Sequence, residues 1–195
     1  MNRIIKTIVF LLVVIGFIWL IIMLFSKAFS TSKPTATTKP KVDLLSYAST
    51  DAISSMYIDG PVQANQDHQA LEIGVDKNQV KVELYNGYQR EVVKQAVYVN
   101  NPTSYASFLK SLEKAQFAKA VLASIEVDER GYCPLRNRFI YELNNGTTSV
   151  VRTWTTSCGT GNYTGDRSLT RTLFIDQVPE KDLRTFLNGT NFSII

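Results

Sequence analysis

The sequence predicts an α+β fold: an antiparallel sheet of two hairpin or meander units, with one main amphipathic helix and a short C-terminal helix. A single N-terminal transmembrane helix precedes it. Three observations carry this. Residues 7–25 hold no charge, two Asn-Gly pairs are each flanked by β-branched and aromatic runs, and the apolar period changes from two to helical after Asn101.

The stretch TIVFLLVVIGFIWLIIMLF, residues 7–25, is nineteen residues long, about what is needed to cross a hydrocarbon core of ~30 Å. A secretory signal has a shorter apolar region, about 7–15 residues, and a small-residue cleavage site. Ala28-Phe29-Ser30 is a passable site, but an uncleaved anchor is the preferred reading. Arg3 and Lys6 lie on one side, with Lys27, Lys33, Lys39 and Lys41 on the other, so the positive-inside rule alone does not orient the span.

Residues 26–42 form a Ser/Thr/Pro/Lys tether, too polar to pack and stiffened by Pro34 and Pro40. Of the 21 Lys and Arg in the chain, six lie in residues 1–41 beside none of the 17 acids. Residues 43–195 therefore hold fifteen bases against seventeen acids, a net charge of −2. The basic character belongs to the membrane flanks, where it can meet anionic headgroups. The folded part lacks the electrostatic support that nucleic-acid binding needs, so no nucleic-acid partner is expected.

Inside residues 43–195, SMYIDGPV reads as a short strand. ALEIGVD and QVKVELY alternate cleanly, with Leu71, Ile73 and Val75 answering Val80, Val82 and Leu84 across a Lys77-Asn78 turn. Asn86-Gly87 turns the chain into YQREVVKQAVYV, in a register that opposes Tyr85 to Tyr88 and Glu83 to Arg90. Asn101 is a good N-cap and Pro102 suits the first helical position. Tyr105, Phe108, Leu109 and Leu112 then recur at i, i+3, i+4 and i+7, a core-facing stripe.

A connector carrying Glu126, Asp128 and Glu129 leads to the only two cysteines, Cys133 and Cys158. A type I′ turn at Asn145-Gly146 opposes Leu143 to Thr148, Tyr141 to Val150, Asn137 to Trp154 and Cys133 to Cys158. The cysteines then share a non-hydrogen-bonded rung with Cα atoms about 4.5 Å apart, within disulfide range. This register groups Leu135, Phe139, Tyr141, Leu143, Val150 and Trp154 on one face, with Arg152 a misfit among them. Arg136, Arg138, Glu142, Thr153 and Thr155 fall on the other. Two buried free thiols are the alternative. A disulfide implies an oxidising compartment. It sets the orientation: residues 1–6 cytoplasmic, 43–195 extracytoplasmic, in a single-pass protein of the cell membrane. The loop GTGNYTGD, the strand TRTLFIDQ and a short helix from Pro179 to Leu187, ended by Asn188-Gly189, complete the chain.

Little here points to catalysis. His68 is the only histidine and sits beside Asp67 in a polar stretch, without a nucleophile elbow anywhere. One histidine and a paired cysteine set do not make a zinc site. GTGNYTGD lacks the Lys-Ser/Thr of a phosphate loop, and the acids of IEVDER do not follow calcium-loop spacing. The triplets at Asn145, Asn162, Asn188 and Asn191 matter only where N-glycosylation operates. No catalytic, cofactor-binding or metal residue, and no cofactor, is expected.

The blocks YIDGPVQANQDHQ, YNGY, NNPTSYASFLKSLEKAQF, ERGYCPLRNRFIYEL, RTWTTSCGTGNYTGD and LFIDQVP come in this order over residues 56–178. Together they resemble an uncharacterised family of small membrane-anchored proteins from Saccharibacteria and related candidate-phyla bacteria. The family usually has a glycine where this chain has Arg136. The resemblance implies a setting, the envelope of a small host-dependent bacterium, and no activity. Function is then expected to be that of an envelope binding or interaction module. Its partner would be an envelope or host-surface protein or polymer. An envelope enzyme or enzyme inhibitor is the alternative. A bare aromatic patch or open sheet edge favours the first, a cleft of polar groups with shifted pKa values the second.

Overall fold

The computed structural model describes residues 12, 14–16, 18–20, 42–120 and 128–192. The chain divides into two units, Met1–Thr37 and Thr38–Ile195. In the first, the described residues are helical. Most of the expected span at 7–25, and all of the tether but Val42, lie outside the described residues, as do residues 1–6. Among the described residues no helix is long and apolar enough to cross a membrane.

The second unit is α+β. A single-turn 3-10 helix, Leu44–Tyr47, leads into strands β1 (Ala52–Asp59), β2 (Gln69–Val75), β3 (Gln79–Asn86) and β4 (Glu91–Val99). Helix α1 (Pro102–Lys114) follows, then β5 (Arg138–Asn145), β6 (Thr148–Thr156), α2 (Arg167–Ile175) and α3 (Glu180–Leu187). The six strands make one antiparallel sheet in the order β4-β3-β2-β1-β5-β6. The two expected units are therefore joined edge to edge by β1 and β5, from Ala52↔Asn145 to Asp59↔Arg138.

Alternation puts one set of side chains against the helices. Ala52, Met56 and Ile58 of β1, Leu71, Ile73 and Val75 of β2, and Val80, Val82 and Leu84 of β3 are all buried there. The expected β2–β3 register is the one observed, with Leu71 opposite Leu84, Ile73 opposite Val82 and Val75 opposite Val80. Helix α1 is also as expected. Asn101 accepts from the Ser104 N–H at 2.9 Å, Pro102 opens the helix, and Tyr105, Phe108, Leu109 and Leu112 are buried. The Tyr105 hydroxyl donates to the Ala52 carbonyl at 2.8 Å, tying α1 to β1.

Three expectations are corrected. The β3–β4 connection is four residues, Gly87–Arg90, closed by Asn86↔Glu91, so Tyr85 faces Val92 and Glu83 faces Gln95. Tyr88 and Arg90 leave the ladder for other partners, Arg90 with a left-handed φ of +58°. The expected strand at TRTLFIDQ is instead helix α2 together with the turn after it. Asp166 accepts from the Leu169 N–H at 2.9 Å as a helix cap. Thr170 and Phe174, four apart, are its buried residues, so helical spacing overrides the β-propensity of the run.

The β5–β6 turn is also displaced. Asn145 pairs with Thr148, and an irregularity at Leu143/Asn144 sets Leu143 opposite Val151 and Tyr141 opposite Thr153. An odd register slip exchanges faces. Val151 and Thr153 thus stand beside Tyr141, while Trp154 and Arg152 share the other face with Ile140 and Glu142. Arg152 is no misfit there, since it pairs with Glu129 at 2.6 Å and Glu142 at 3.0 Å.

The segment GTGNYTGD folds onto the end of β6. Gly161 bridges Thr155, the Tyr163 N–H donates to the Trp154 carbonyl at 3.0 Å, and the Trp154 N–H donates to Asn162 Oδ1 at 2.7 Å. A Cβ on Gly161, whose φ is +143°, would collide with the Trp154 carbonyl. Nothing lies within 4 Å of a Cβ on Gly146, φ +58°. Gly161→Ala should therefore destabilise the domain by roughly 1–3 kcal/mol more than Gly146→Ala, read by paired urea melts. Equal losses would show that the close approach at Gly161 is not required.

Candidate functional site

The sheet face turned away from the core is laid out in rows by the strand pairing. One row runs Val97, Lys81, Gly74, Ser55, Glu142, Arg152. The next runs Gln95, Glu83, Glu72, Tyr57, Ile140, Trp154, and the third Val92, Tyr85, Ala70, Asp59, Arg138, Thr156. Its β5–β6 half is covered by residues 128–137. There Glu129 holds Arg152, and the Tyr132 ring lies 5.0 Å from that of Trp154.

The disulfide closes this cover. Cys133 and Cys158 are bonded with Cα atoms 5.9 Å apart, beyond the last rung of the ladder at Arg138↔Thr156. The pair is as expected, but it links two loops instead of forming a cross-strand rung, because of the register slip. Pro134 lies in the loop, where a missing ladder donor has no effect. Its carbonyl accepts from the Val62 N–H at 2.7 Å. The bend at Arg136 forms as a turn closed by the Arg136 N–H on the Cys133 carbonyl at 3.1 Å, and Arg136 does not adopt the positive φ that would favour glycine. Beside it, Arg130 holds the exposed Asp128 carboxyl down at about 2 through side-chain and backbone hydrogen bonds.

At the end of β1, Asp59 meets the His68 ring and the Arg138 guanidinium. His68 Nε2 lies 3.0 Å from Asp59 Oδ1, and Arg138 Nη2 lies 2.6 Å from Oδ2. His68 Nδ1 meets the Pro61 carbonyl at 3.1 Å, and its ring stacks on Tyr88 with centroids 4.1 Å apart. His68 is thus buried, at 2 % exposure, although the stretch around it is polar. Its partner is Asp59 and not Asp67. This knot holds the loop of residues 60–68 in place, with Tyr88 donating to the Gln63 carbonyl at 2.9 Å. Arg138, read as a polar surface residue, is buried beneath it.

The β3–β4 half carries a second group that sequence reasoning missed. Glu72 and Glu83 oppose each other directly, a repulsive placement. Arg90 offsets it at 2.9 Å from Glu72, and Lys81 at 2.9 Å from Glu83. The Tyr85 hydroxyl lies 3.0 Å from both carboxylates, and its single hydrogen can serve one at a time. The Arg90 guanidinium also sits over the Tyr57 and Tyr85 rings, 4.2 and 4.9 Å from their centroids. Burial and, after it, Asp59 push the Tyr57 hydroxyl up to about 12. Burial and Glu72 push Tyr85 up as well. These hydroxyls stay protonated near neutrality, and that of Tyr85 acts as a donor.

Beyond this group lies the sheet edge. Strand β4 has a neighbour on one side only, and Val92, Val93, Val97 and Val99 are exposed, Val99 at 96 %. The signal was in the sequence: EVVKQAVYV is rich in valine and is followed by a helix, so the next element in the chain does not supply its second neighbour. On the other face of β4, Lys94 donates to the Phe186 and Asn188 carbonyls, each at 3.1 Å, and is spent on helix α3. Among the described residues no group of three or more His, Cys, Asp or Glu could hold a metal ion. No model of a known protein family matches the chain, and no curated protein matches it.

Two outcomes test this geometry. The Cys133–Cys158 bond closes a sequence separation of 25, which the chain-entropy account values at roughly 3–4 kcal/mol as an upper figure. Reduction or the Cys133→Ser/Cys158→Ser double change should lower the melting temperature by many degrees while strand content persists below it. Alkylation of both thiols in native protein would contradict the bond. Tyrosinate absorbance should show Tyr57 and Tyr105 ionising near pH 12. Between 10.0, their ordinary value, and about 12, only the unfolded chain loses these protons. Their contribution to stability is present below pH 10.0 and is lost as pH rises towards 12. Complete ionisation of the folded domain near pH 10 would rule the assignment out.

Proposed function

We propose that this chain is a single-pass protein of the cell membrane whose extracytoplasmic domain is an envelope binding or interaction module. The observation that carries the reading is the bare edge of β4, continuous with the uncovered half of the sheet face. An exposed edge rich in valine is a ready template for another strand. The adjoining Arg90, Lys81, Glu72 and Glu83 offer charged groups at fixed spacing for selecting what docks. The nineteen uncharged residues at 7–25 and the tether after them support an anchored setting, and the disulfide supports an oxidising one.

The partner is an envelope or host-surface protein or polymer, a setting that the resemblance to candidate-phyla envelope proteins supports. Nucleic acid is disfavoured by the net charge of −2 over residues 43–195 and by the burial of Arg138 against Asp59. Catalysis finds less support, because the shifted tyrosines move away from neutral pH, where an acid or base would need to be poised.

Retention of the full-length chain on isolated envelope fractions tests the reading. Wild type should be retained, and Arg90→Ala and Val97→Lys should each weaken retention about ten-fold, about 1.4 kcal/mol. Wild type that no fraction retains, or two variants retained like wild type, would overturn it.

A further inference from the structure

The phase of the β3–β4 ladder determines which backbone groups of β4 are free. The Asn100 N–H donates to the Asn78 carbonyl at 2.8 Å, so this pair is a hydrogen-bonded rung. In an antiparallel ladder such rungs alternate. Tyr98, Ala96 and Lys94 therefore turn their N–H and C=O groups toward β3, and Gln95, Val97 and Val99 turn theirs outward. The next ladder agrees: the Asp76 N–H donates to the Gln79 carbonyl at 2.9 Å. This directs the backbone groups of the odd residues of β3 to β2 and leaves the even ones for β4.

The same three residues place their side chains on the face away from the helices. Two of them, Val97 and Val99, are among the exposed valines. The devices that normally blunt an edge are missing from this stretch. It holds no proline, its lysine is committed to α3, its one acid, Glu91, stands at the far end, and the irregularity near Tyr85 lies before Lys94.

We infer that strand β4 pairs antiparallel with β4 of a second copy, about a two-fold axis through Val97, to give a continuous sheet across two molecules. This partner rests on the reading of the edge as a docking element, and self-complementarity selects it. With the axis at Val97, the outward groups of Val97 meet those of the partner's Val97. Gln95 meets the partner's Val99, and Ala96 the partner's Tyr98. Every rung lies in the regular stretch, no charged residue falls on any of them, and both valines gain cover. An isologous contact requires one surface to fit itself, and this one does.

Full-length chain in detergent micelles tests it. A Val97→Cys variant should cross-link to a dimer under mild oxidation roughly ten-fold faster than a Lys110→Cys control on exposed α1. Val97→Lys sets two ammonium groups face to face and should weaken the dimer roughly a hundred-fold by sedimentation. Gln95→Pro removes only an outward N–H and should weaken it as well. Far-UV circular dichroism verifies that both variants fold. Cross-linking no faster than the control, or a dimer that survives both substitutions, overturns the pairing. A monomeric chain whose Val97→Lys variant still loses envelope retention also overturns it, while leaving the interaction-module reading in place.

Discussion

Strand β1 is paired on both sides, over six rungs with β2 and eight with β5, and the rest of the domain depends on that placement. The meander β1–β4 and the hairpin β5–β6 are separate in sequence, divided by helix α1 and the connector. Either alone would be a small sheet with two bare edges and half a core. Joined through β1, they make one surface broad enough for α1, α2 and α3 to cover on a single side. The ladder ends at Asp59, where Arg138 of β5 and His68 from the β1–β2 loop meet one carboxylate. The far end of β1 therefore carries an electrostatic clasp as well as hydrogen bonds. Its members are largely buried, so removing Asp59 would leave the Arg138 guanidinium without its carboxylate.

Local rules made the β2–β3 hairpin, helix α1 with its Asn101 cap, and helix α3 legible in the sequence, because each is set by residues within a few positions. Long-range pairing was not legible in the same way. Nothing local says that SMYIDGPV becomes the central strand, since its partners Gln69–Val75 and Arg138–Asn145 are chosen by tertiary contact. At Asn145-Gly146 the turn signal was real, but it did not specify which residues close the loop. The irregularity at Leu143/Asn144 then moved Trp154 to the opposite face from the one expected, while Val150, left without a rung, still packs against the core. The two cysteines still met, because loops beyond a ladder tolerate a shift that a rung does not. Of the candidate site, the disulfide was visible in sequence. The Arg90 group was not, because a left-handed backbone at Arg90 carries it across the ladder to Glu72.

The two edges of the sheet are finished differently, and that contrast supports an interaction role. The end of β6 is lined by Gly161 and Tyr163, with the disulfide loop packed over the adjoining face. At β4 the helices attend only to the inner side, where Lys94 reaches α3 and burial with Asp182 raises the Tyr98 hydroxyl. The outer side and the edge are left bare. Beside them, every charge of the Glu72, Glu83, Lys81 and Arg90 group is matched at about one hydrogen-bond length. Such a group holds its shape without a ligand and presents a fixed pattern to whatever approaches.

The double pairing of β1 also bears on how the domain carries mechanical load. The chain reaches β1 directly from residue 42, through a single short helical turn. A pull on that end enters the sheet at an inner strand and not at its rim. Neighbours on both flanks must then slide along their length together, loading many hydrogen bonds in parallel. A strand at the rim would instead open one bond at a time, like a zip. Tension arriving at β4 has three ladders to cross before it reaches the same strand. The order of strands thus separates the place where force would enter from the place where a contact would form.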